Sequence, residues 1–185
     1  LAQDYLSALN ELGRTATAAE LSAWDIDVRP DFLGLPPGSG SVAQGEALWL
    51  DQCASCHGDF GDSNEVFSPI VLGNITEDDV RTGRVAALTD PSVVRTTFMK
   101  VATLSTIWDY INRAMPWNAP KSLAADEVYS LVAYLLNLAY IVDDDFVLSD
   151  ENMEDVQALM PNRNGMTEDH GLWSVSYTHL RAHET

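Results

Sequence analysis

Cys53-Ala54-Ser55-Cys56-His57 sets two thiols on either side of two residues, with an imidazole directly behind them. Thiols at this spacing can add across the two vinyl groups of one porphyrin, and the adjacent imidazole then faces the iron as its proximal ligand. This is the attachment signature of a covalently bound haem, and it points to electron transfer. Other uses of the pair fit less well. A disulfide between Cys53 and Cys56 would close too short a loop to stabilise much. A thioredoxin-like redox pair needs a strand-to-helix setting and no histidine at this position. A zinc site needs two further ligands, yet the chain has no third cysteine, and His170, His179 and His183 all fall in its last sixteen residues.

A haem iron needs a sixth ligand or an open site. Met115, in Arg113-Ala114-Met115-Pro116-Trp117 and 58 residues after His57, is the candidate. Leu104, Ile107, Trp108 and Ile111 form the apolar face of a helix that must stop here, because Pro116 disfavours helical geometry at Met115 and lacks an amide hydrogen. A thioether held in such a loop is a soft neutral ligand that raises the reduction potential and closes the iron to substrate. Met99, Met153, Met160 and Met166 lack this setting. Trp117, beside the ligand loop, is the candidate for a residue at the haem edge, with simple core packing as its alternative. Pro69, twelve residues past His57, offers a carbonyl that could accept the proton on the far nitrogen of the imidazole and hold one tautomer; a surface turn is the ordinary reading of that proline.

The elements that position these groups are legible nearby. Ser41 with Gln44 three residues later reads as a capping box that opens a helix carrying Gly45 and Trp49 on one face before Cys53. A small residue at 45 admits a second helix at close range. Its partner is the apolar segment from Ala125 to Val142, where Val128, Leu131, Val132, Leu135 and Leu138 recur at helical spacing and Leu131 and Tyr134 lie on a neighbouring face. Ser130 and Asn137 interrupt this run, which is too short and too polar for a membrane span.

At 185 residues the chain holds one domain of ordinary size plus extensions, and 46% hydrophobic content suffices for a packed core. A formal net charge of −18, from 28 acidic against 10 basic residues, argues against nucleic acid and an anionic membrane surface as partners. Arg81, Arg84, Arg95, Lys100, Arg113 and Lys121 fall within the haem-wrapping segment, where they could serve the propionates or a docking face. Asp143, Asp144, Asp145, Asp150, Glu151, Glu154 and Asp155 crowd the stretch behind it.

Residues 1–37 read as an N-terminal arm. Tyr5, Leu6, Leu9 and Leu12 recur at helical intervals, and the Pro- and Gly-rich stretch from Arg29 to Gly40 cannot be regular helix. Trp24 and Phe32 need burial either on the domain itself or on a partner. Residues 38–142 form the haem domain and 143–173 a C-terminal extension that could dock in the same way. The final stretch, 174–185, is foreign in composition and is expected to be a frayed tail. No internal repeat is visible. The chain starts at Leu1 and shows no signal peptide, as expected of a mature or trimmed product.

The order of Gly45 and Trp49, the Cys-x-x-Cys-His motif, Pro69, Met115-Pro116 and the Leu131/Tyr134 helix resembles a class I cytochrome c domain from Gly38 to Val142. That resemblance implies an all-α fold wrapped round one haem c. Three further stretches, Trp24-Asp25-Ile26-Asp27-Val28-Arg29-Pro30-Asp31-Phe32, Arg113-Ala114-Met115-Pro116-Trp117 and Leu159-Met160-Pro161-Asn162-Arg163-Asn164-Gly165-Met166, are similar to the cytochrome subunits of the Sox sulfur dehydrogenases, the SoxD family. The resemblance implies a SoxC-like partner carrying a molybdenum cofactor that oxidises sulfane sulfur derived from thiosulfate. It also implies electron transfer to the haem and onward to a downstream acceptor, a periplasmic location, and no substrate chemistry in the isolated chain. The family commonly adds a second haem domain, and no second such motif occurs here. Rival readings are a stand-alone or sulfite-dehydrogenase-linked carrier, and a haem enzyme such as a thiosulfate dehydrogenase.

Overall fold

A computed structural model describes residues 13–63, 67–73 and 75–165. The architecture is helical with one small ribbon, as expected for a class I cytochrome c fold apart from the ribbon. In chain order it runs α1 (Ala18–Trp24), β1 (Ser39–Ser41), α2 (Val42–Gln52), α3 (Ala54–His57), α4 (Glu77–Thr82), a 3-10 turn (Ala86–Thr89), α5 (Thr97–Lys100), α6 (Leu104–Ala114), α7 (Ala125–Leu138), β2 (Val147–Ser149) and α8 (Met153–Gln157). The expected intervals at Tyr5, Leu6, Leu9 and Leu12 lie outside the described residues, as do Met166, the three C-terminal histidines and the stretch 174–185.

The centre of the domain is α7, in which every residue from Val128 to Leu136 is buried. The helix stops at Leu138, short of Val142, because Asn137 turns the chain back: its amide donates to the Val142 carbonyl at 3.1 Å and to Asp144 at 2.9 Å. The capping box at the start of α2 is present, with Ser41 accepting the Gln44 amide and the Gln44 side chain accepting the Ser41 amide at 3.0 Å. Gly45 lies where α2 meets α7 backbone to backbone, and Trp49 is buried one turn on.

The ribbon has a tertiary cause. β1 and β2 pair antiparallel, Gly40 opposite Leu148, and Gly40 lies so close to Ser130 of α7 that a Cβ would come within 2.2 Å of the Ser130 hydroxyl. Three residues per strand carry too little alternation to be read from the sequence.

The C-terminal extension folds back on the domain as far as it is described. Met153, Val156 and Met160 are buried. Gln157 accepts the Leu104 amide at 2.7 Å, one of the orphan donors at the start of α6, and donates to the Ala102 carbonyl at 3.0 Å. Asn162 donates to the Lys100 carbonyl at 3.0 Å. Beyond it, Arg163 donates to the Val80 and Arg81 carbonyls, while Asn164 donates to those of Thr82 and Gly83.

These are the carbonyls that a short helix ending at Gly83, in the left-handed region with φ 69°, leaves without internal partners. A cation at that end also suits the helix dipole. A charged hydrogen bond such as the half-buried one to Val80 is worth about 1.5–3 kcal/mol, whereas the one to Arg81 is exposed. Arg163→Ala is therefore expected to destabilise the fold by about 2 kcal/mol, read as a lower denaturant midpoint with unchanged slope.

Candidate functional site

Cys53 ends α2 as its C-cap, its amide donating to the Trp49 carbonyl at 2.8 Å, and the single turn of α3 then carries Cys56 and His57. Gly58 closes that turn at φ 76°, a conformation a side chain would resist. Two side-chain contacts hold the loop. The Trp49 indole donates to the Gly58 carbonyl at 2.9 Å, and the Tyr134 hydroxyl of α7 donates to the Asp59 carbonyl at 3.0 Å. The Ser63 amide donates to the His57 carbonyl at 2.8 Å. The imidazole lies between aromatic rings, 5.8 Å from Trp49 and 5.4 Å from Phe67, centroid to centroid.

This environment sets protonation. Burial lowers the His57 pKa, so the ring is held in the neutral form that ligates metals. Burial, together with the neighbouring Cys56 sulfur, pushes the Cys53 thiol up to about 11. Both cysteines are thiols rather than a disulfide, Cys53 half-buried and Cys56 exposed. Among the described residues no cluster of His, Cys, Asp and Glu forms a metal site, so the zinc alternative has no ligand set there.

Met115 follows the last residue of α6 with extended backbone, φ −114° and ψ 150°, and its amide donates to the Ile111 carbonyl at 3.1 Å. This is the helix stop expected from Pro116. Cys53, Ile70, Val101 and Met115 are partly buried and pack against one apolar core. Met99, Met153 and Met160 are fully enclosed by protein, with no exposed surface. An external metal could reach none of those three without repacking, whereas Met115 stands at the core edge.

Trp117 is 79% exposed, so core packing does not account for it. The Pro69 carbonyl accepts the Thr97 amide at 3.3 Å, and the neighbouring Ile70 carbonyl accepts that of Phe98 at 3.0 Å. His57 Nδ1 is buried and has no hydrogen-bond partner. No hydrogen bond from His57 Nδ1 to the Pro69 carbonyl is present, and that carbonyl pairs with the start of α5.

The residues fit a haem c. Two thiols stand beside a neutral, aromatic-flanked imidazole that has an orphaned ring nitrogen, and a half-exposed thioether borders the same core. A haem bound there supplies one-electron exchange between ferric and ferrous iron. The chain would supply thioether attachment through Cys53 and Cys56, ligation by His57 and Met115, and an apolar wall that excludes water. Three contributors were not legible beforehand as site residues. Trp49 and Tyr134 were read as helix-packing residues only, and their second role as donors to the Gly58 and Asp59 carbonyls has no local signal. Phe67 had none beyond being an aromatic ten residues past His57.

Comparison with known proteins gives two matches. Residues 40–135 match the family described as cytochrome C oxidase, cbb3-type, subunit III. The structure superposes on a chain of the crystal structure of the sulfane dehydrogenase SoxCD from Paracoccus pantotrophus with a TM-score of 0.72 and 39% sequence identity, covering 92% of this chain and 77% of that one. No curated protein sequence matches the chain. Among the described residues no helix is long and apolar enough to cross a membrane.

Proposed function

Because the chain belongs to the c-type cytochromes, and among them to the SoxD-like subunits, we propose that it is the haem c electron-transfer subunit of a sulfur dehydrogenase. It accepts electrons from a SoxC-like, molybdenum-containing subunit during oxidation of thiosulfate-derived sulfane sulfur and passes them to a downstream acceptor in the periplasm. The observation that carries this reading is the extent of the match to a chain of SoxCD. At 92% of this chain it takes in more than the haem domain and reaches into the extensions on both sides.

The roles proposed within the chain are supported by the paired thiols, the half-buried imidazole and the thioether at the core edge. In this reading Cys53 and Cys56 tether the porphyrin, His57 and Met115 ligate the iron, and the exposed Trp117 stands at the haem edge. With haem bound, the acceptor proposed for the His57 ring proton is the Pro69 carbonyl, a bond not formed in the structure but open to the second lone pair beside the one that takes the Thr97 amide. This chain binds, orients and shields, and the substrate chemistry belongs to the partner.

A stand-alone carrier would fold the whole of Trp24–Phe32 onto its own domain. Phe32 does pack against the core, but Trp24 is 87% exposed and α1 buries none of its residues. Exposed Leu21, Trp24 and Ile26 ahead of the buried Val28 suit a partner-docking arm. Native purification of the matured chain tests the reading. It is expected to bring down a molybdoprotein in fixed ratio, and the haem band in that complex should be reduced when sulfane substrate is added. A lone monomeric cytochrome that the substrate leaves oxidised would overturn it.

A further inference from the structure

Asp109, on the inner face of α6, is only 6% exposed. A carboxylate at that depth needs partners for both oxygens, and it has them from two different parts of the chain. Oδ1 accepts the amide of Val28 at 3.2 Å, and Oδ2 pairs with the guanidinium of Arg113 one helical turn further on. Val28 is buried and is where the N-terminal arm becomes anchored. After it the chain turns through Phe32, whose amide donates to the Arg29 carbonyl at 2.8 Å, and Leu35, whose amide donates to that of Phe32 at 3.1 Å; ahead of it Ile26, Trp24 and Leu21 are exposed.

Arg113 occupies the last turn of α6, where its charge suits the C-terminal carbonyls. Met115 follows two residues later. One buried carboxylate thus ties Val28, the first buried residue in the described part of the arm, to the helical turn that presents the thioether. An i,i+4 pair on a helix surface is weak and salt-screened, but with the carboxylate desolvated the pairing is strengthened and its loss leaves an uncompensated buried charge.

We infer that Asp109 is a positioning residue that couples the seat of the N-terminal arm to the presentation of Met115. The inference rests on the reading of Met115 as the iron's sixth ligand. The arm is the part of the chain offered to a partner, so a partner that seats Val28 more firmly also steadies the turn ahead of the ligand, and one that pulls it away loosens that turn.

The test uses the matured, haem-containing full chain. Asp109→Asn keeps an acceptor for the Val28 amide and removes the charge that holds Arg113; Arg113→Ala removes the same pairing from a residue whose side chain is 44% exposed, and serves if the first variant fails to mature. Titration of the ferric protein with imidazole, which competes with the thioether, is expected to show about tenfold tighter binding in both variants, with Arg113→Lys close to wild type. Hydrogen exchange at the Val28 amide is expected to speed up in Arg113→Ala by a similar factor, although that substitution leaves the Asp109 to Val28 bond in place. Unchanged imidazole affinity in both variants overturns the inference, as does a loss of global thermal stability large enough to account for both the tighter imidazole binding and the faster exchange. A wild-type ferric spectrum without the red methionine-to-iron band instead removes Met115 from the assignment.

Discussion

A chain in which Cys53 and Cys56 are both serine is expected to emerge from maturation without covalent haem, colourless after denaturation, while His57 alone cannot retain the porphyrin. Thioether bonds are the only covalent link this motif offers, so the effect is complete loss, read by haem stain on a denaturing gel. The single substitution Met115→Ala separates attachment from ligation. It is expected to keep the stain but abolish the red band of the oxidised spectrum. The reduction potential should fall as well, because a thioether favours ferrous iron. Axial ligands spread haem potentials over roughly 0.8 V, so a drop of ~0.1 V or more is the expected scale. Met99→Ala is the control. That side chain has no exposed surface, and its loss should cost stability while leaving the band in place. A Met99→Ala protein that lost the band, with Met115→Ala retaining it, would exchange the two assignments.

Gly45→Ala is expected to destabilise the fold by about 3 kcal/mol or more, at or beyond the upper end of ordinary overpacking. A Cβ at this position would meet the Ser130 carbonyl oxygen at 1.9 Å and the Ser130 carbonyl carbon at 2.6 Å. Both are backbone atoms of α7, so no rotamer change relieves the clash and the two helices must separate. The separation reaches the site. Trp49 lies on the same face of α2 and holds the Gly58 carbonyl, while Tyr134 lies one turn beyond Ser130 on α7 and holds that of Asp59. Denaturant melts should show a lower midpoint, and haem incorporation should fall in parallel because the loop carrying His57 loses both anchors. Alanine at 45 with wild-type stability would show that α2 and α7 cross elsewhere.

The extensions show how one kind of sequence signal can have two outcomes. Trp24 and Phe32 both read as aromatics in need of a surface. Phe32 found the domain's own core because the buried Val28 and its bond to Asp109 pin the chain there, whereas among the described residues the bonds of α1 are local: a Thr17–Glu20 capping box and an Arg14–Glu20 ion pair. The stretch Leu159–Met166, described as far as Gly165, resembled a family motif without an evident purpose. Its purpose is structural, since Met160 fills the core while Asn162, Arg163 and Asn164 satisfy backbone carbonyls of residues 80–83 and 100.

What the amino-acid order determined by itself is what depends on neighbours within a turn or two. The Cys-x-x-Cys-His spacing, the capping box at Ser41, the small residue at 45 one turn before Trp49, and the helix stop at Met115 all act through backbone dihedrals and i,i+4 geometry, which a short window contains in full. What only the tertiary structure decided are bonds between residues 75 to 83 apart: Tyr134 to Asp59, Val28 to Asp109, and Arg163 to Val80. A hydroxyl, an aspartate or an arginine has the same local preferences whether it faces water or a buried carbonyl. Its role is settled only when packing brings a second segment to its tip and removes the water that would otherwise satisfy both groups.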